Sequence, residues 1–167
     1  PSLIAKQAEQ GNIDLAFHIT VEAPPNLRRK SVFIENYLLA GRAGHPGLKG
    51  RLTLEKFCAL NHVIVSPDGG GFHGVTDTAL ADVGMKRRVA LSIPHFLFLE
   101  SVLMNTDLVA LVPSRLVRNS KTLQVVKPPL DVPGYEMLML WHERVHRDPA
   151  HQWLREHILR SVTIKMS

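Results

Sequence analysis

Apolar and polar positions alternate along the chain between a helical period and short strand-like runs. Ser2 to Gln10 keeps helical spacing with Gly11 as its stop, and Ile13 to Phe17 then reads as a strand. Ser31 to Ala40 reads as a second strand. His45-Pro46-Gly47 opens a turn, where the histidine is expected at the surface. Leu54, Phe57 and Cys58 predict a short helix over Thr53 to Leu60, ahead of a strand from His62 to Ser66. After a glycine loop from Asp68 to Gly74, the pattern predicts a helix over Val75 to Val83 stopped by Gly84 and a strand from Arg88 to Ile93. An apolar helix over His95 to Met104 then opens behind Pro94. Strands at Leu108 to Val112, Leu123 to Val126 and Tyr135 to His142 follow, with a short helix at Pro113 to Arg118. The last helix, Pro149 to Val162, is capped by Asp148. Its spacing turns Trp153, Leu154, His157, Ile158 and Ser161 to one side, which predicts that Trp153 and Leu154 pack inward. Repeated strand-helix-strand units imply an α/β fold with mostly parallel sheets covered by helices.

Composition narrows the class. With 167 residues, 45% of them apolar, the chain supports one compact unit or two small lobes. Cys58 is the single cysteine, so no internal disulfide forms and a reducing compartment is expected. No apolar run reaches the roughly 18 residues of a membrane span, and Pro1 to Gly11 lacks the marks of a secretion signal. A cytoplasmic protein without membrane contact is expected. The formal charge of +5 sits in short groups, Arg28-Arg29-Lys30, Lys86-Arg87-Arg88, Arg115 and Arg118. No aromatic residues interleave with them and no helix-turn-helix pattern accompanies them, so they read as solvated surface.

Two motifs invite chemistry that their context opposes. His142-Glu143-Arg144-Val145-His146 fits H-E-x-x-H, which chelates zinc when a helix puts both histidines one turn apart. Here a dense apolar strand precedes it, and Asp148-Pro149 starts the next helix only afterwards. Along a strand the two histidines lie roughly 13 Å apart, too far to share one ion. Gly69-Gly70-Gly71-Phe72-His73-Gly74 fits G-x-G-x-x-G. Pro67 and Asp68 separate its first glycine from the strand, and no acidic residue closes the next strand to hold a ribose. A nucleotide cofactor is therefore not expected, nor any other. No G-x-S-x-G elbow is present and nothing pairs Cys58 with a histidine, so catalysis has no good candidate. A zinc-dependent hydrolase using residues 142–146 stands as the alternative.

An ordered set of short motifs carries a resemblance. Gly11-x-Ile13-Asp14-Leu15-Ala16, Gly44-His45-Pro46, Thr53-Leu54-Glu55, His73-Gly74-x-x-Asp77, Pro94-His95-Phe96, Thr106-Asp107-Leu108-Val109-Ala110-x-Val112-Pro113 and the Trp141 to Arg155 tail resemble the effector-binding domain of LysR-type transcriptional regulators. The Pro-His-Phe element and the tail are most similar to the branch that senses salicylate, nitroaromatics or flavonoids.

The resemblance implies a two-lobed, type 2 periplasmic-binding-protein-like fold, N-terminally truncated, whose DNA-binding helix-turn-helix and first sensor elements lie outside this chain. It implies a homodimer or tetramer as the full-length protein, and a small organic anion, a small aromatic carboxylate, as effector between the lobes. Lobe I is expected over 1–67 plus 143–167 and lobe II over 68–142. The expected ligand contacts are Gly71, His73, Gly74, Pro94, His95 and Phe96. The two helix N-termini they open would offer amides to a carboxylate, His73 and His95 would donate hydrogen bonds, and Phe96 would supply an aromatic wall.

Overall fold

The computed structural model describes residues 2–19, 24–66 and 71–164. The chain divides into two compact units, one formed by Pro1–Glu35 with Tyr135–Ser167 and the other by Asn36–Gly134. The crossings therefore fall beside Asn36 and Gly134 and not at 67/68 and 142/143. The strand that closes at Val65 pairs with later strands of the second unit, which sets the division earlier than local pattern does.

In the first unit, α1 (Ser2–Glu9) packs Ala5 and Ala8 against a three-stranded sheet. That sheet has the order β1 (Ala16–His18), β8 (Tyr135–His142), β2 (Leu27–Glu35), with both pairings antiparallel. Successive side chains of a strand point to opposite faces. Leu138 and Leu140 accordingly join the α1 cluster, while Met139 and Trp141 are buried on the other side. Burial on both faces is why the centre of β8 reads as a continuous apolar run. In α6 (Pro149–Ile164), Asp148 accepts the His151 N–H at 2.7 Å, the expected cap.

The inward face of α6 corrects the expectation. His151 and Arg155, one turn apart, are its buried residues, whereas Trp153 is 61% exposed and stacks on His157 instead of on the unit's core. His151 donates its Nε2–H to the Asp14 carbonyl at 2.9 Å, so tertiary hydrogen bonding outweighs the apolar stripe in orienting this helix.

In the second unit, five strands run in the order β5 (Arg88–Ile93), β4 (Asn61–Val65), β6 (Val109–Pro113), β3 (Tyr37–Arg42), β7 (Leu123–Val126). The pairings of β4 with β5 and with β6 are parallel, and those of β3 with β6 and with β7 are antiparallel. This sheet is thus mixed and that of the first unit antiparallel, where mostly parallel sheets were expected. β3 enters the unit first and inserts between two strands that come much later, an adjacency that periodicity does not reveal.

Helices cover both faces of this sheet. α2 (Leu54–Ala59) and α3 (Val75–Asp82) bury Phe57 and Leu80 with Leu39 and Val109. α4 (Leu99–Met104) and α5 (Ser114–Val117) bury Leu99, Leu103 and Val117 with Ala40, Ala110 and Val112. Gly84 ends α3 at φ +68°, a backbone conformation that glycine adopts without steric cost. The continuous strand expected over Ser31 to Ala40 is broken at Asn36 into β2 and β3. The helix expected from His95 opens instead as a tight 3-10 turn, Phe96–Phe98, before α4.

Candidate functional site

The C-terminal ends of β4 and β5 carry the concavity that three of the expected site residues share. The Ser66 N–H donates to the Ile93 carbonyl at 2.9 Å, tying the two strand ends together, and Pro94 then interrupts the β pattern. Pro94, His95 and Phe96 line a cavity of about 390 Å³ with Val65, Leu97 and Leu99. Leu116, Val117 and Leu123, from α5 and β7, complete its apolar wall, and His95, Glu100 and Ser120 are its polar side chains. Its volume lies at the small end of the usual range for ligand pockets, about 300–1,000 Å³. Phe96 is 41% exposed. The His95 imidazole makes no hydrogen bond among the described residues and lies 6.5 Å, centroid to centroid, from the Phe98 ring. The Glu100 carboxylate accepts from the Thr122 hydroxyl.

Gly71, His73 and Gly74 do not line this cavity. Gly71 is moored to both strand ends, donating its N–H to Ser66 Oγ at 3.1 Å and accepting from Ser92 Oγ at 3.0 Å. The Gly74 N–H donates to the Asp77 carboxylate at 2.8 Å, so it is spoken for by a side chain of its own helix. The rim of open amides expected here is in this respect already satisfied. His73 is exposed, with Nε2 3.5 Å from Thr78 Oγ1. Gly69 and Gly70 of the glycine pattern lie outside the described residues.

Behind that loop sits a polar cluster that the sequence pattern misassigned to surface. Arg87 is 3% exposed and grips Asp77 through two hydrogen bonds of 2.9 Å, while its third nitrogen approaches His62 Nδ1 at 3.4 Å. Burial pushes the Asp77 carboxyl up, but the bonds and charge of Arg87, the Gly74 N–H and the nearby His73 together hold it below the ordinary carboxylate range. His62 is fully buried and donates its Nε2–H to the Phe57 carbonyl at 2.8 Å; burial, the largest influence, lowers its pKa to about 4. The only hint available in sequence was the carboxylate Asp77 three residues beyond Gly74. His45 likewise is buried, not exposed: it donates to the Asp107 carbonyl at 3.0 Å and accepts from the Gly47 N–H at 3.0 Å.

The H-E-x-x-H residues are each engaged locally. β8 ends at His142, and Glu143–Val145 form a 3-10 turn. His142 Nδ1 accepts the Arg144 N–H at 3.2 Å, Glu143 pairs with Arg28, and His146 Nδ1 accepts the Trp141 indole N–H at 3.3 Å. Among the described residues, no group of three or more histidine, cysteine, aspartate or glutamate side chains is placed to hold a metal ion.

Residues 1–163 match the LysR substrate binding domain, and the chain belongs to that family. It is 35% identical over 166 residues to the HTH-type transcriptional regulator SyrM 1 of Sinorhizobium fredii, covering 97% of this chain and 49% of that protein. With the HTH-type transcriptional activator NahR of Pseudomonas putida it shares 34% identity, over 89% of this chain and 50% of the activator. Among solved structures, the regulatory domain of MexT, a transcriptional activator in Pseudomonas aeruginosa, superposes with a TM-score of 0.76 at 31% identity. That match covers 95% of this chain and 77% of the MexT domain. The mixed α/β arrangement in two units is accordingly the type 2 periplasmic-binding-protein-like fold of LysR effector domains. The chain spans about half the length of these two curated relatives. Both are transcriptional regulators, and a zinc hydrolase gains no support from them. Among the described residues, no helix is long and apolar enough to cross a membrane.

Proposed function

We propose that this chain is the effector-sensing part of a LysR-type transcription regulator that is cytoplasmic and non-catalytic. In the complete protein it acts on DNA through a helix-turn-helix outside the chain and assembles as a homodimer or tetramer. Its effector is a small aromatic carboxylate, whose binding shifts the equilibrium between regulatory states. The apolar cavity at the C-terminal ends of β4 and β5 carries this reading, because ligands of open α/β sheets lodge at such ends. Phe96 and the leucines accept the ring, and His95, with its hydrogen-bonding capacity unspent, takes the carboxylate or an ortho hydroxyl. Glu100 on the same wall disfavours a second carboxylate, so a monoacid is preferred over a diacid. Gly71, His73 and Gly74 lie outside this cavity, so His95 is the histidine assigned to the effector.

Calorimetric titration of the protein with salicylate, benzoate, phthalate and a flavonoid panel tests this. A monocarboxylate is expected to bind best, and His95→Ala to weaken it roughly tenfold, about 1.4 kcal/mol, as the loss of one hydrogen bond to a charged group predicts. His73→Ala is expected to have a smaller effect. Undiminished binding to His95→Ala would overturn the site, and tighter binding of phthalate than of benzoate would overturn the preference for a monoacid.

A further inference from the structure

The run Arg28-Arg29-Lys30 opens β2, and in the folded first unit it forms one wall of a groove of about 490 Å³. Trp141, His146 and, on α6, Arg155 and Glu156 also line it. Arg28 stands opposite Trp141 in the β2–β8 register, and strand alternation puts Lys30 on the same face as Arg28. Four cations thus line the groove against the single carboxylate of Glu156. That carboxylate is itself bonded by Arg160 at 3.1 Å, and Glu143, outside the lining, is paired with Arg28.

Arg155 sets this groove apart from an ordinary solvated basic patch. Its side chain is buried, 7% exposed, and its hydrogen-bond partners are all neutral; Glu156 and Asp148 reach it only as charges without a bond. It donates to the His146 carbonyl at 2.9 Å and to the Val145 carbonyl at 3.5 Å, meets His151 Nδ1, and lies 4.4 Å from the Trp141 ring centroid. Arg155 donates to His151 Nδ1, which therefore acts as a lone-pair acceptor, while the His151 Nε2–H goes to the Asp14 carbonyl; the ring adds no charge. Arg155 forms no ion pair among the described residues, and neither does Lys30 across the groove. A rigidly held guanidinium in partly desolvated surroundings attracts an anion more strongly than a flexible surface lysine does.

We propose that this groove is a binding site for a small oxyanion of the phosphate class, held between Lys30 and the Arg155 guanidinium and separate from the cavity beside Pro94. The same chemistry is offered by free phosphate and by the terminal group of a phosphorylated metabolite. Titrations of the protein at constant ionic strength with inorganic phosphate, with a sugar phosphate, and with chloride as control distinguish them. Saturable binding of phosphate is expected, with a raised melting temperature that chloride does not reproduce; tighter binding of the ester identifies a metabolite, and equal or weaker binding identifies the free ion. Lys30→Gln is expected to weaken binding at least fivefold and Lys30→Arg to restore it, while Lys49→Gln, on the other unit, leaves it unchanged. Circular dichroism of each variant verifies folding. Phosphate behaving as chloride does, Lys30→Gln binding undiminished, or Lys49→Gln weakening binding as much as Lys30→Gln, each overturns the site.

Discussion

Replacing Arg87 by methionine is expected to lower the unfolding free energy by about 3–5 kcal/mol, the usual result of removing one partner from a buried ion pair. Asp77 would remain 13% exposed with its main counter-charge gone, and the Gly74 N–H bond alone compensates it poorly. Methionine fills much of the arginine's volume, so the loss reports charge more than packing. The double variant Arg87→Met, Asp77→Leu is expected to recover a large part of the loss, because removing both members leaves no orphaned charge. It should still fall short of wild type by about 1 kcal/mol, since Asp77 also bonds the Gly74 N–H at the start of α3. Urea unfolding measures all three proteins. A loss below about 1 kcal/mol for Arg87→Met would show that the pair is solvated and contributes as a surface salt bridge does.

Acid is expected to destabilise the fold well before general carboxylate protonation. The His62 imidazole takes up a proton near 6.5 in an unfolded chain, but in the folded protein only near 4. Burial is the chief cause, and the charge of Arg87 works in the same direction against the opposing Phe57 carbonyl and Asp77. Between these two values the unfolded chain binds a proton that the folded chain refuses. The contribution of His62 is therefore complete above pH 6.5, shrinks as pH falls, and is gone below about 4, a difference of about 3 kcal/mol. Asp77, held below its ordinary value, adds a loss of the same sign at still lower pH. Urea midpoints at pH 7, 5.5 and 4.5 should fall in that order. In His62→Gln, which keeps a donor for the Phe57 carbonyl, the decline between 6.5 and 4 should flatten. A wild-type midpoint unchanged from pH 7 to 4.5 would refute the account.

Most elements were legible in the sequence. Arg88–Ile93, Leu123–Val126 and Tyr135–His142 begin and end where the apolar runs do, and Asp148 caps the last helix as its position ahead of Pro149 requires. The candidate site was only half legible. Pro94, His95 and Phe96 could be singled out because they are contiguous at a strand end, but Leu116, Val117, Ser120 and Leu123 reach the same wall from elsewhere in the chain and carry no local mark. Arg87 and His62 were missed for a related reason. A basic residue in the run Lys86-Arg87-Arg88 looks solvated until the fold brings Asp77 against it.

The amino-acid order by itself determined most of the succession of helices and strands and the family to which the chain belongs. Those features depend on periodicity, caps and short motifs, all confined to neighbouring residues. Only the tertiary structure decided that β3 lies between β6 and β7, that His151 and Arg155 rather than Trp153 face inward, and that Arg87 is buried against Asp77. Burial and ion pairing are properties of groups brought together from distant positions, and no local pattern encodes which partner each will meet.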